Sequence, residues 1–345
     1  MENLLVNKVA AVKEVRQAAE YQKKKQACIL TGLAGSSKPV FFAAADKLLG
    51  GKGSMAFITA SREEIRTYRR ELNYLYPDLP MQELYPVSLP HVQADTQSLE
   101  LQAGRAAALR FLSGEERGIV FITAEALQQK QLRPSGMSGK ALQLAVGEEH
   151  EQRNIAAALL DLGYERTEQV DALGQFCLRG DILDVYPINS STAVRIEWFD
   201  NELDAMRSFD VDTQRSLQTL TSIKIAPLKV DESFSYDADI FEYCAADTMV
   251  VVDEPVHVFS MLEKLDKENK EHASELFGKQ ELIEQLAANG AVLVSALGHS
   301  YLQQLPSLNI PVRAVAPYNK NTNLLVEDLQ NWLAEGICLL YTSPS

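Results

Sequence analysis

From about residue 27 onward, short apolar runs alternate with stretches of helical spacing. Ala27–Leu33, Ser54–Ala60 (SMAFITA), Gln82–Tyr85 and Gly118–Thr123 (GIVFIT) read as strands. The continuous apolar character of the second and fourth is what a strand covered on both faces requires. Val40–Leu49, a segment opening at Ser61 and residues 94–113 carry helical spacing between them. Ser61 followed by Glu64 predicts a capping box, in which each side chain satisfies the other residue's backbone N–H. Such alternation predicts a parallel sheet with helices on both faces. Ahead of it, Leu4, Leu5, Val9, Val12 and Val15 predict an amphipathic leading helix within residues 1–25.

The texture changes near residue 141. A helix over Asn154–Leu162 stops at Gly163, and strand-like runs follow at Gln175–Leu178, Ile182–Tyr186 and Val194–Phe199. Gly180, Pro187 with Asn189, and Asp200–Asn201 supply turns between them, so this stretch reads as an antiparallel hairpin cluster. The α/β texture returns after about residue 223, with a strand at Thr248–Val252, a helix at 256–268 and a strand at Ala291–Ala296. The expected organisation is one α/β domain, 26–140 and 223–315, interrupted by an α+β insertion over 141–222. The start of a further domain is expected at 316–345. There Asn321–Asn323 caps a helix stopped by Gly336, and ICLLY reads as a strand followed only by TSPS. A lone parallel strand needs a crossover and partners, so a truncation with a non-native tail is expected at this end.

Charge narrows the function classes. The net charge is −14, whereas duplex binding draws on a basic excess that releases counterions. DNA gripping by bulk charge is therefore disfavoured. No run of eighteen apolar residues is present, and the charged N-terminal stretch is no secretory signal. Cys28, Cys177, Cys244 and Cys338 form no CxxC, and the five histidines are scattered. Neither a metal site nor a disulfide framework is read from that spacing, and a cytoplasmic, reducing setting is expected.

Three groups of residues carry chemistry. GLAGSSKP (Gly32–Pro39) lies between a strand and a helix, the context of a phosphate-binding loop. Gly32, Gly35 and Lys38 fit that loop. Ser37 stands where a glycine would let backbone approach phosphate, and Pro39 removes both a magnesium-binding hydroxyl and an N–H. The loop therefore reads as a degenerate P-loop, either a plain helix-start turn or one with residual nucleotide affinity. TMVVVDEP places Asp253 and Glu254 after an apolar strand, as in a Walker B element. Alone, an acidic pair at a strand end is commonplace; with the loop, it points to descent from an ATPase. Finally, the stretch between Lys140 and Lys224 holds six arginines and no lysine. Planar guanidinium forks suit a specific carboxylate partner. Arg179 and Arg195 fall on adjacent predicted strands, with Glu197 on the same face as Arg195. Solvated hairpin charges in local ion pairs are the alternative reading.

GLAGSSKP, LSGEERGIVFITAEAL and above all the stretch from GYERTEQVDALGQFCLRGDILDVYPINSSTAVRIEWFDNELDAM to RSFDVDTQRS resemble the N-terminal region of the bacterial transcription-repair coupling factor family (Mfd). That region is itself similar to the excision-repair protein UvrB, and the resemblance runs over about residues 20–338. It implies a RecA-like parallel-sheet domain with a UvrA-binding insertion. The parent would be an ATP-dependent DNA translocase whose missing domains take ATP, magnesium, DNA and RNA polymerase. The family's partner-binding positions fall on Arg166, Arg179, Arg195 and Glu197, with Phe199 or Trp198 contributing an apolar centre. Cys177 stands where UvrB carries a second arginine. The tyrosine-rich DNA hairpin of UvrB is expected to be absent, because the corresponding gap is only PVSLPHVQADT. The resemblance implies a UvrA-docking module without catalysis or cofactor of its own. The alternatives are a weak ATPase built on Lys38 with Asp253 and Glu254, or a stand-alone DNA binder.

Overall fold

The apolar runs assemble into one seven-stranded parallel sheet. Its order is Ser307–Asn309, Cys28–Thr31, Val292–Ser295, Met249–Asp253, Met55–Thr59, Ile119–Thr123 and Met81–Leu84. The computed structural model describes residues 4–33, 35–86, 99–134, 141–228, 236–296, 304–310, 312, 318 and 321–335. The expected ICLLY strand and the PVSLPHVQADT gap lie wholly or mostly outside these residues.

Period-two alternation explains why the central strands read as solid apolar runs. Met55 and Phe57 point into one core and Ala56 and Ile58 into the other; Met249 and Val251 oppose Val250 and Val252 in the same way. One face is covered by the helices Lys13–Lys23, Ser37–Leu48 and Arg62–Leu75. The other is covered by Leu99–Ser113, Pro255–Glu268 and Lys279–Ala288. The capping box at Ser61 forms, with the Ser61 N–H donating to Glu64 Oε2 at 3.0 Å.

The single leading helix expected within residues 1–25 is two helices, Leu4–Ala10 and Lys13–Lys23. The break between them shifts the helical phase. Val6, Ala10, Val15 and Ala18 are buried in the sheet-facing core, whereas Leu4 and Leu5 are exposed. The strand Ser307–Asn309, absent from the sequence reading, adds in parallel to Cys28–Thr31; three residues with one buried side chain leave little apolar signal.

The insertion is a six-stranded sheet ordered Ser216–Leu220, Glu202–Phe209, Ala193–Phe199, Ile182–Val185, Gln175–Arg179 and Glu165–Arg166. All neighbours are antiparallel except the last pair. One face packs Phe176, Leu183, Val185, Val194, Ile196, Trp198, Leu203 and Met206 against the helix Gln152–Asp161. Ser222–Ile225 pairs with Leu142–Ala145, and Ile225 is fully buried in the same core. The insertion therefore continues past residue 222, the expected end, because its last strand closes on its first. Arg110, on the helix Leu99–Ser113, donates to the Asn189 carbonyl and ties the insertion to the α/β domain.

Candidate docking face and the Lys38 loop

Gly32 and Gly35 have φ of +85° and +53°, conformations that cost glycine least. At Gly32 space is also closed, since an added Cβ would lie 2.6 Å from the Ile310 carbonyl oxygen. Ile310 N–H donates to Thr31 O and Val312 N–H to Gly32 O, so the chain after Ser307–Asn309 lies against the start of the loop. The helix begins at Ser37 and accepts Pro39 in its first turn, where the missing N–H is not needed. Lys38 N–H donates to the Gly35 carbonyl at 3.2 Å, so this amide is spent inside the loop.

The Lys38 ammonium is spent as well. It donates to Asp253 Oδ1 at 2.6 Å and Glu254 Oε1 at 2.8 Å, joining residues that the sequence places 215 apart. Glu254 takes a left-handed conformation at the strand-to-helix turn, φ +42°, and its carboxylate also accepts the Ala296 N–H. Burial by itself would lower the Lys38 pKa; the two carboxylates outweigh it and hold the pKa above that of a free lysine. Burial, followed by the Asp253 carboxylate, pushes the Tyr68 phenol far upward beside them. One cation is thus shared by two carboxylates, so the cluster carries a formal net negative charge. Among the described residues, no group of three or more metal-ligating side chains comes together.

The sheet face of the insertion turned away from its main core carries Arg179, Arg195, Glu197 and Phe199 of the predicted partner residues. A two-residue turn, Gly180–Asp181, sets Arg179 opposite Ile182 and hence Cys177 opposite Asp184. Asp184 in turn faces Arg195, and Ile182 faces Glu197. Arg195, Glu197 and Phe199 alternate with the buried Ile196 and Trp198 and so share the outer face. Phe199 is 77% exposed and Ile182 39% exposed. Trp198 is buried, with Nε1 donating to the His150 carbonyl, and so does not contribute to the surface.

The arginines differ sharply in freedom. Arg195 makes a bidentate pair with Asp184, Nε to Oδ1 at 2.7 Å and Nη2 to Oδ2 at 2.8 Å, donates to Gln214 and stacks over Phe209. Glu197 is paired with Arg207. Arg179 is 57% exposed and only grazes Asp184, Nη2 to Oδ2 at 3.6 Å. Arg166 is exposed on the edge strand but lies in register with Phe176, whose side chain belongs to the inner face. Arg179, Glu197 and Phe199 are thus brought together with Ile182, and Arg195 lies beneath them as an anchor. Arg166 is set apart from the group. Sequence reading missed Asp184 and Ile182, although counting across the two-residue turn would have placed both on this face. Because Asp184 is almost wholly buried, Arg195→Ala strands a buried carboxylate. A stability loss of about 3–5 kcal/mol is expected in chemical denaturation, where an exposed docking residue would show almost none.

Residues 142–230 match the sequence model of the UvrB interaction domain. The match begins at the strand Leu142–Ala145 and ends past its partner Ser222–Ile225. The insertion is thus similar to UvrB interaction domains along its whole length. The chain is similar to the transcription-repair-coupling factor of Bacillus subtilis (strain 168), 36% identical over 203 residues, which is 58% of this chain and 17% of that protein. It is also similar to the transcription-repair-coupling factors of Staphylococcus haemolyticus, 32% over 202 residues, and Escherichia coli K12, 28% over 165 residues. Those matches take in 58% and 48% of this chain and 17% and 14% of the relatives. The chain thus spans about a sixth of the length of the curated relatives it matches. No described helix is long and apolar enough to cross a membrane.

Proposed function

We propose that this chain is a docking module of a transcription-repair coupling factor, and that the outer face of its UvrB interaction domain binds UvrA. The observation that carries this reading is an exposed phenylalanine, Phe199, beside Ile182 and the half-free Arg179 on a face where Arg195 and Glu197 are already ion-paired. An aromatic anchor with an adjacent arginine is the composition that dominates binding energy at protein interfaces. Glu197 and Arg195 shape the face from within ion pairs, and Arg166 contributes a peripheral charge from the edge strand. In the longer parent, ATP, magnesium, DNA and RNA polymerase belong to other domains. This module then recruits excision repair to stalled transcription in the cytoplasm, without a reaction or cofactor of its own.

The competing reading, a weak ATPase on Lys38, Asp253 and Glu254, finds its lysine neutralised and its loop amide occupied. Titration calorimetry with Mg·ATP is expected to give no heat above dilution; micromolar binding would restore the enzyme reading. The docking reading is tested by capture of the purified chain on immobilised UvrA. Arg179→Ala is expected to reduce capture by about tenfold or more while leaving the thermal midpoint in place. Unchanged capture would remove Arg179 from the interface.

A further inference from the structure

The outer face contains one buried anion with two cations on it. Asp184 is 3% exposed at its side chain; on the outer face it lies between Arg195 and Cys177, beside a small buried cluster of Val170, Cys177, Ala193 and Phe209. Arg195 donates to both carboxylate oxygens of Asp184. Arg179 approaches Oδ2 from the neighbouring strand and keeps more than half of its side chain in solvent. Register rather than chance fixes this arrangement, since Cys177, Asp184 and Arg195 lie in one row and Arg179 is two residues along from Cys177. With the slot beside Asp184 filled by the small thiol of Cys177, the long Arg179 side chain has room to lean over the carboxylate.

We propose that Asp184 is a positioning residue for docking: it holds the Arg179 guanidinium in the orientation that meets a partner carboxylate. This rests on the docking reading above and names how its exposed arginine is prepared. A free arginine loses rotamer entropy when an interface immobilises it, and a restraint already present in the unbound state reduces that loss. Arg195 serves the same arrangement indirectly, by taking the two short hydrogen bonds to Asp184 and leaving Arg179 the weaker, longer contact. A contact of 3.6 Å is loose enough to leave most N–H donors of Arg179 available to the partner. The competing effect is that Asp184 screens Arg179 and weakens its pull on the partner, and this predicts the opposite sign.

The test is a double-mutant cycle on the full chain, with affinity for purified UvrA read by calorimetry and folding read by circular dichroism. Asp184→Asn keeps the shape and one acceptor, and it is expected to weaken binding by about tenfold. In the Arg179→Ala background the same change is expected to have almost no further effect, because a positioning residue acts only through the group it positions. Arg179→Lys, which keeps the charge but not the fork, is expected to lose nearly as much affinity as Arg179→Ala. That comparison stands even if Asp184→Asn does not fold. Tighter binding by Asp184→Asn, equal losses with and without Arg179, or full affinity in Arg179→Lys would each overturn the inference. If Arg179→Ala alone binds UvrA as well as the unaltered chain, it is the docking site that fails.

Discussion

Replacing Lys38 by methionine is expected to lower stability by about 3–5 kcal/mol, the usual cost of removing one partner from a buried ion pair. The ammonium sits 2.6 Å and 2.8 Å from two carboxylates, and its side chain is only 11% exposed. Methionine fills the volume but leaves Asp253 and Glu254 facing each other without a counter-charge. A fall in the thermal midpoint of about 10 °C follows for a domain of this size. Lys38→Met combined with Asp253→Asn is expected to recover much of the loss, since it relieves the like-charge contact. In a working nucleotide site the same lysine would be dispensable for folding, so the size of the effect separates a structural clamp from a ligand-binding group. The pH dependence has a definite sign. Lys38 has a folded pKa above its unfolded value, so its contribution is complete below the unfolded lysine pKa, about 10.4. It is lost as pH rises through the higher folded value. Alkaline unfolding curves of the unaltered chain and of Lys38→Met should therefore converge at high pH.

Phe199→Ser is expected to have the largest effect on partner binding, a loss of at least about 2 kcal/mol, or roughly 30-fold in affinity for UvrA. At 77% exposure the ring contributes little to the fold, so stability should stay within about 0.5 kcal/mol of the unaltered chain. A single exposed phenylalanine is unremarkable. Phe199 gains weight from its neighbours: Ile182 is also exposed on this face, and Arg195 and Glu197 are already satisfied. An interface formed here desolvates an apolar centre and one arginine rather than several unpaired charges. Trp198→Phe, by contrast, acts on the core and on the hydrogen bond to His150, and should change stability more than affinity.

The two architectures were legible in the sequence for different reasons. Strands such as Met55–Thr59 and Met249–Asp253 are buried on both faces, so their apolar runs are unbroken and bounded by turns. The hairpins showed through Gly180 and Asp200–Asn201 as much as through alternation. Ser216–Leu220 was not readable, because an edge strand exposed on nearly all positions carries no apolar periodicity. The meeting of Lys38 with Asp253 and Glu254 could be anticipated only as two halves of one motif. That the three would spend their charges on each other depends on the packing of helix against strand. The outer face of the insertion was legible as a set of residue types but not as a hierarchy. Arg179, Arg195 and Arg166 look equivalent in sequence, and only strand register distinguishes a half-free cation from a partly buried, ion-paired anchor and an edge charge.

Direct titration of UvrA with the chain carrying Phe199→Ser and Arg179→Ala together tests the central claim most simply. Both side chains are more than half exposed, so circular dichroism and thermal melting should match the unaltered chain. If the outer face of the insertion docks UvrA, affinity falls by at least about 100-fold. An intact double variant that binds UvrA as tightly as the unaltered chain would contradict the account.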